Sequence, residues 1–230
     1  MVAMALAATN TFAQNKDWAQ FGRYEKQNAE MTISPDVVFM GNSITDFWYN
    51  FDEAFFKNNN FACRGISGQT TAQMLVRFEK DVIELNPKAV VILAGINDIA
   101  QNNGPIKLEN VLSNIISMSE LARYHKIKVI LCSVLPCNHF TWRPDLQPAE
   151  DVKHLNAMIK DYACKNKITF VDYYTPLVND EGGLSTELSK DGCHPVYNCY
   201  TTMESIVTKG INKALNNRKV YHVSAPKEDQ

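Results

Sequence analysis

The stretch DVVFMGNSITDFW, from Asp36 to Trp48, decides the fold. An apolar run, Asp36–Met40, stops at Gly41, and after Asn42 and Ser43 a segment of helical character opens at once. Asn, Ser and Thr are favoured N-caps, because their side chains accept hydrogen bonds from the unpaired N–H groups of a first turn. The stretch therefore reads as strand, tight turn and helix. Ser43 sits at that turn either as part of a cap or as a residue placed to react.

Outward from this unit the same alternation repeats. The helical segment runs to about Lys57, and the next apolar run is Phe61–Ile66. Gln69–Leu85 follows, with Met74, Leu75, Phe78, Val82 and Leu85 at helical spacing. Ala89–Ala94 is continuously apolar. Ile106–His125 is amphipathic, with Val111, Leu112, Ile115, Ile116 and Ala122 on one face. Lys128–Leu135 and Ile168–Tyr173 are two more strands, separated by a loop and the helix Glu150–Asn166, and a last helix runs from about Val196 to Asn216. Strands that are apolar along most of their length, alternating with helices, imply a parallel sheet covered on both faces. The expected fold class is α/β: a three-layer α/β/α sandwich on a doubly wound parallel sheet of about five strands. Sites in such sheets lie at the carboxyl ends of the strands, which puts Gly41–Ser43, Gly65–Gly68 and Gly95–Asp98 at one rim.

The 230-residue chain, 45% hydrophobic and 21% charged, is long enough to bury a large core without metal or disulfide staples. Its net charge of -2 gives no basis for a nucleic-acid partner or an anionic membrane surface. Residues 1–13, MVAMALAATNTFA, are uncharged, with a short apolar block and small residues suited to signal-peptidase cleavage. They read as an export signal that lacks the usual basic start, giving a mature chain from Gln14 and a periplasmic or secreted protein. The block is too short to span a bilayer, so no integral membrane segment is expected. No cysteine follows the cleavage site, which argues against a lipid anchor. Residues 14–220 then form one domain, and 221–230 read as a disordered tail. Among the six cysteines there is no C-x-x-C pair and no spacing suited to zinc. Whether Cys193 and Cys199 pair is left open, as is the oligomeric state.

Chemistry-bearing residues gather where the strands end. Gly41-Asn42-Ser43 follows the first, Arg64-Gly65-Ile66-Ser67-Gly68 the second and Gly95-Ile96-Asn97-Asp98 the third; Asp191-Gly192-Cys193-His194-Pro195 comes far downstream. A hydroxyl nucleophile, a base with an orienting carboxylate and hydrogen-bond donors for an oxyanion are the parts of an acyl-transfer site. Each block alone has a plainer use: Gly95–Asp98 as a turn into a helix, His194 as a loop residue, Asp191 as a turn former. Four such blocks in one order at strand ends are much harder to obtain by chance.

The arrangement resembles the SGNH, or GDSL-type, hydrolase superfamily over nearly all of the chain after residue 13. Its four blocks map onto Ser43 in GNSIT, Gly65 in RGISGQT, Asn97 in GIND and His194 in DGCHP. The resemblance implies Ser43 as nucleophile, His194 as base and Asp191 as the carboxylate that orients it. It also implies an oxyanion hole made by the backbone N–H groups of Ser43 and Gly65 with the Asn97 amide, a flavodoxin-like fold, and no cofactor. The chain departs from the family in carrying Asn42 where aspartate is common, and in VYNCY after the histidine block. It lacks G-x-S-x-G, so the nucleophile elbow of α/β-hydrolases is not expected.

For substrate, the loop Cys137–Ala149 falls on the same rim, and its Trp142 and Arg143 are expected either to wall the site or to pack the loop down. The expected partner is a small-molecule or glycan ester, with short acyl chains, acetyl above all, on a polar alcohol. A lysophospholipase or thioesterase is the alternative within the family. A catalytically weak carbohydrate-binding protein on the same scaffold is the third reading.

Overall fold

The computed structural model of the protein describes residues 17–227; the export signal read in residues 1–13 lies outside them. The chain begins with a 3₁₀ turn (Phe21–Arg23) and α1 (Glu25–Ala29). It continues with β1 (Val37–Gly41), α2 (Ser43–Phe51), α3 (Glu53–Asn59), β2 (Phe61–Gly65), α4 (Thr71–Phe78) and a π-helical turn (Glu79–Ile83). Next come β3 (Ala89–Leu93), α5 (Ile96–Ile99), α6 (Leu108–Tyr124), β4 (Lys128–Cys132) and α7 (Ala149–Lys165). β5 (Thr169–Val171), α8 (Tyr174–Leu177) and α9 (Tyr197–Leu215) complete it.

All strand pairs are parallel, and the sheet has five strands in the order β2-β1-β3-β4-β5. Helices α2, α3 and α9 pack on one face and α4, α6 and α7 on the other. This is the doubly wound sandwich expected from the alternation. Because β1 and β3 have a strand on either side and helices above and below, every residue in them is buried, which is why they read as unbroken apolar runs. Chain order reverses direction at the β1–β3 pair, the topological switch point at which open α/β sheets bind ligands.

Aromatic side chains carry the α2/α3 face. Phe39 of β1 meets Trp48, Phe55, Phe56 and Phe61 with ring centroids 5.3–5.9 Å apart, and Trp48 stacks on Phe55 at 5.4 Å. Burying rings of this size is the largest single contribution a core residue makes. The helical stretch expected to run unbroken to Lys57 is two helices. Asp52 leaves helical geometry and caps α3 by accepting a bond from Phe55 N–H at 3.0 Å, as a short acidic side chain at an N-cap does.

The carboxyl-terminal segment also departs from expectation. Residues 221–227, read as the start of a disordered tail, are docked. Asn59 pairs with both backbone groups of His222 (2.8 Å each), and Asn198 with both of Lys227 (2.9 and 3.0 Å). The Tyr221 ring lies 5.5 Å from Phe61. Side-chain amides here do for the tail what a neighbouring strand would do, and composition gives no hint of it.

Glu204 of α9 is wholly buried, accepting bonds from Trp48 Nε1–H (3.0 Å) and Ser224 N–H (3.0 Å). Burial pushes its carboxyl up to about 7, against the bonds from Trp48 and Ser224, and nearby Asp52 adds to the rise. Among the described residues Asp52 Oδ2 is buried with no hydrogen-bond partner. A carboxyl raised in the folded state contributes stability that is fully present below its unfolded value, near 4.5, and is lost as pH rises through about 7. Between pH 5 and 8 the melting temperature of the parent is expected to fall by several degrees more than that of Glu204→Gln. Parallel pH profiles for the two proteins in a thermal scan would show that the proton is not held there.

Candidate active site

The turn after β1 is built by Asn42, whose Oδ1 accepts the Ile44 N–H at 3.0 Å and so caps α2. Ser43 is therefore the first residue of α2, at the positive end of the helix dipole. The cap role that sequence left open for Ser43 is filled by its neighbour, and the Ser43 hydroxyl points elsewhere. Its Oγ lies 2.9 Å from His194 Nε2, across 151 residues of chain. On the other side of the ring, His194 Nδ1 lies 2.6 Å from Asp191 Oδ2. The hydrogen-bond chain assigns the imidazole proton to Nδ1, facing the carboxylate, and leaves Nε2 to accept from the serine.

Asp191 is held by more than the ring. Its Oδ1 accepts the N–H groups of His194 (2.8 Å) and Cys193 (3.0 Å) and the Ser189 hydroxyl (3.2 Å). Burial opposes its ionisation, but the bonds from the His194 N–H, the His194 ring and the Cys193 N–H outweigh that and hold the carboxyl down at about 2. Asp191 is accordingly an anion at any pH near neutrality, fixed in a tight turn three residues before the imidazole. The His194 ring lies between two others, Phe47 at 5.3 Å and Trp142 at 5.8 Å. Trp142 does both things expected of it: its ring packs on the buried Phe140 at 5.0 Å, and at 40% exposure it keeps a face open beside His194. Arg143 braces that loop, with Nη1 donating to the Ala100 carbonyl (3.1 Å) and a fork of bonds to Asp145.

Asn97 opens α5 beside this group, and its Nδ2 donates to the Gln69 carbonyl at 3.0 Å. The next residue, Asp98, accepts bonds from Thr71 N–H (2.9 Å) and Thr71 hydroxyl (2.7 Å). The β3 turn is thereby tied to the start of α4. Three of the rim blocks, and the downstream Asp191–His194 loop, thus converge.

Gly65 is the member of the expected set whose geometry does not suit its assigned part. Its carbonyl accepts the buried Tyr24 hydroxyl. A Cβ built there would lie 2.2 Å from the Asp46 nitrogen and 2.6 Å from the Thr45 carbonyl carbon. Gly65 lets β2 pass close under α2, which is a packing role. Gly68, in the same block, is different: it sits at φ +79°, and no heavy atom lies within 4 Å of where its Cβ would be. Its backbone borders open space, one residue before the carbonyl that holds Asn97. Both glycines are visible in RGISGQT, but sequence alone does not say which of them faces the rim. Also unanticipated are Phe47 against the imidazole and the buried Arg77, an arginine at the helical spacing of the apolar Met74 and Phe78.

The cysteines are all free, so Cys193 and Cys199 do not pair. Among the described residues no helix is long and apolar enough to cross a membrane.

A flavodoxin-like sheet with a serine, a histidine and an aspartate chained at its switch point is the architecture of the acylhydrolases. The chain belongs to the GDSL-like lipase/acylhydrolase family, whose pattern matches residues 39–198. Among solved structures it is similar to a candidate acylhydrolase from Bacteroides fragilis, 48% identical, covering 87% of this chain and 99% of that one with a TM-score of 0.84. It is similar also to a GDSL-like lipase from Bacteroides thetaiotaomicron, 46% identical over 85% of this chain and 98% of that one, with a TM-score of 0.82. Esterase TesA of Pseudomonas aeruginosa is 29% identical over 133 residues, 56% of this chain. The chain spans 58% of the length of each curated relative it matches.

Proposed function

We propose that the protein hydrolyses short-chain esters, acetyl above all, of carbohydrates or similarly polar alcohols, with Ser43 as nucleophile, His194 as base and Asp191 as orienting carboxylate. The observation that carries the reading is the unbroken chain Ser43 Oγ, His194 Nε2, His194 Nδ1, Asp191 Oδ2, at 2.9 and 2.6 Å. In that reading His194 takes the hydroxyl proton as Ser43 attacks the ester carbonyl, then returns it to the leaving alcohol. Water, activated by the same imidazole, releases the acid from the acyl-serine. The anionic intermediate is met by the Ser43 N–H at the start of α2, by the Asn97 amide and by the N–H of Gly68, which replaces Gly65 in this role. The domain doing this starts at residue 14 and takes in the docked segment to residue 227 as well as 14–220, and export guided by residues 1–13 would deliver it to the periplasm or outside the cell.

Two features support a polar alcohol and a short acyl group. The segments at the rim, GNSITD, RGISGQTT, GINDIAQNN and SKDGCHP, are mostly small or polar. Each buried methylene is worth about 0.8 kcal/mol, so a preference for long acyl chains needs apolar lining that these turns do not supply. The half-exposed face of Trp142, beside His194, suits stacking on a sugar ring. A series of acetyl, butyryl and octanoyl nitrophenyl esters is expected to give kcat/KM falling along the series, with acetate released from acetylated xylan. A rise from acetyl to octanoyl would transfer the assignment to a lysophospholipase or thioesterase, and no turnover of any ester would leave a carbohydrate-binding protein.

A further inference from the structure

Arg77 is wholly buried on α4, beneath the rim, and each nitrogen of its guanidinium has a partner. Nε donates to Gln69 Oε1 at 2.6 Å, and Nη1 to Asp81 Oδ2 at 2.8 Å. Nη2 donates to two backbone carbonyls, Gly41 at 3.1 Å and Arg64 at 2.8 Å. Gly41 is the last residue of β1 and Arg64 the last but one of β2, and Gly41 lies two residues before Ser43. Gln69 closes the Gly68 turn, and its own carbonyl receives the Asn97 amide. One cation therefore grips the approach to the nucleophile, the end of the neighbouring strand and the residue that holds Asn97.

We propose that Arg77 is a positioning residue of the catalytic site, fixing the Ser43 turn against the Gly68–Gln69 turn so that nucleophile and oxyanion donors share one geometry. The inference rests on the reading of Ser43 as nucleophile and Asn97 as oxyanion donor. A planar fork matching several acceptors at once is what arginine offers and lysine does not. The fork is itself held. Asp81 lies in the π-helical turn, where the Glu84 N–H reaches back to the Glu79 carbonyl at 3.0 Å. Its second oxygen accepts Asn28 Nδ2 at 2.9 Å, and Asn28 in turn accepts two bonds from Arg64. Single π turns inside helices recur at functional sites because they re-aim side chains. Asp81 stands four residues after Arg77, the spacing at which helical side chains meet, and the pair is buried at 2.8 Å. A helix packing on the sheet needs no buried cation for stability alone, since an apolar side chain of similar volume serves as well.

The test measures kcat and KM on nitrophenyl acetate for Arg77→Lys, Gln69→Met and Gln69→Glu beside Ser43→Ala, each below its melting temperature. Catalytic groups displaced by about 1 Å lose on the order of 10²-fold in rate. Arg77→Lys is expected to lower kcat by about 10- to 100-fold with KM within about twofold, and Gln69→Met by about tenfold. Gln69→Glu keeps the acceptor for Nε and is expected to recover most of the rate that Gln69→Met loses. Should Arg77→Lys fail to fold, the contrast between Gln69→Met and Gln69→Glu carries the decision. If kcat in Arg77→Lys and Gln69→Met stays within about twofold of the parent while Ser43→Ala is inactive, Arg77 serves stability only and the proposal is overturned. If Ser43→Ala itself turns over like the parent, the nucleophile reading falls and takes this proposal with it.

Discussion

Ser43→Ala is expected to lose ester hydrolysis by at least about 10⁴-fold while keeping its fold. The proposed chemistry needs an oxygen at that position, and among the described residues the one partner of the Ser43 hydroxyl is His194 Nε2, a bond that does not hold the fold together. The cap of α2 is Asn42, untouched by the change, and alanine is well tolerated in a first helical turn. His194→Ala is expected to be as severe, because without a base the hydroxyl remains a weak nucleophile. Residues that act as one unit are strongly non-additive, so the double variant should be no slower than either single one. Nitrophenyl acetate turnover, read with the melting temperature of each purified variant, checks this. Turnover within tenfold of the parent in either single variant would remove the triad assignment.

The parts of this site differ in how far sequence reveals them. β1, β2 and β3 match the apolar runs to within a residue at each end, because a strand buried on both faces has no periodicity to blur. Ser43, Asn97, Asp191 and His194 are legible for a related reason: each lies at the carboxyl end of a strand or in a short loop, where a polar residue beside glycine stands out. Gly65 and Gly68 are not separable in that way. Which of them meets α2 and which meets open space depends on how closely β2 passes under a helix from another part of the chain. Arg77 is hidden more deeply. On α4 it falls at the spacing of the apolar Met74 and Phe78, where an arginine has no evident use, and its partners are strand-end backbone and a turn brought together only by folding. The docked tail shares that character, its partners Asn59 and Asn198 being remote in sequence from Lys227 or His222.

Asn97→Ala is expected to lower kcat by on the order of 10²–10³-fold and to leave KM nearly unchanged. The Asn97 side chain is buried at the opening of α5, with one N–H of its amide committed to the Gln69 carbonyl at 3.0 Å. That bond fixes the amide plane, so the second N–H has a set direction and costs no reorganisation when charge develops on the substrate oxygen. A donor that meets charge only in the transition state acts on kcat, whereas one that binds substrate and transition state alike acts on KM. The alanine variant also leaves the Gln69 carbonyl without its partner, and an unpaired buried acceptor costs about 1–3 kcal/mol, which appears as a lower melting temperature. Asn97→Asp separates the two effects. It keeps the size of the side chain, but a carboxylate has no N–H to offer, and its charge repels both the Gln69 carbonyl and the oxyanion. It is therefore expected to be at least as slow as the alanine variant. If either variant raised KM alone, Asn97 would be a substrate-binding residue, and the hole would consist of the Ser43 and Gly68 N–H groups. If both left kcat within about threefold, the oxyanion would be stabilised by backbone donors at the start of α2, and the hold of Asn97 on Gln69 would be structural.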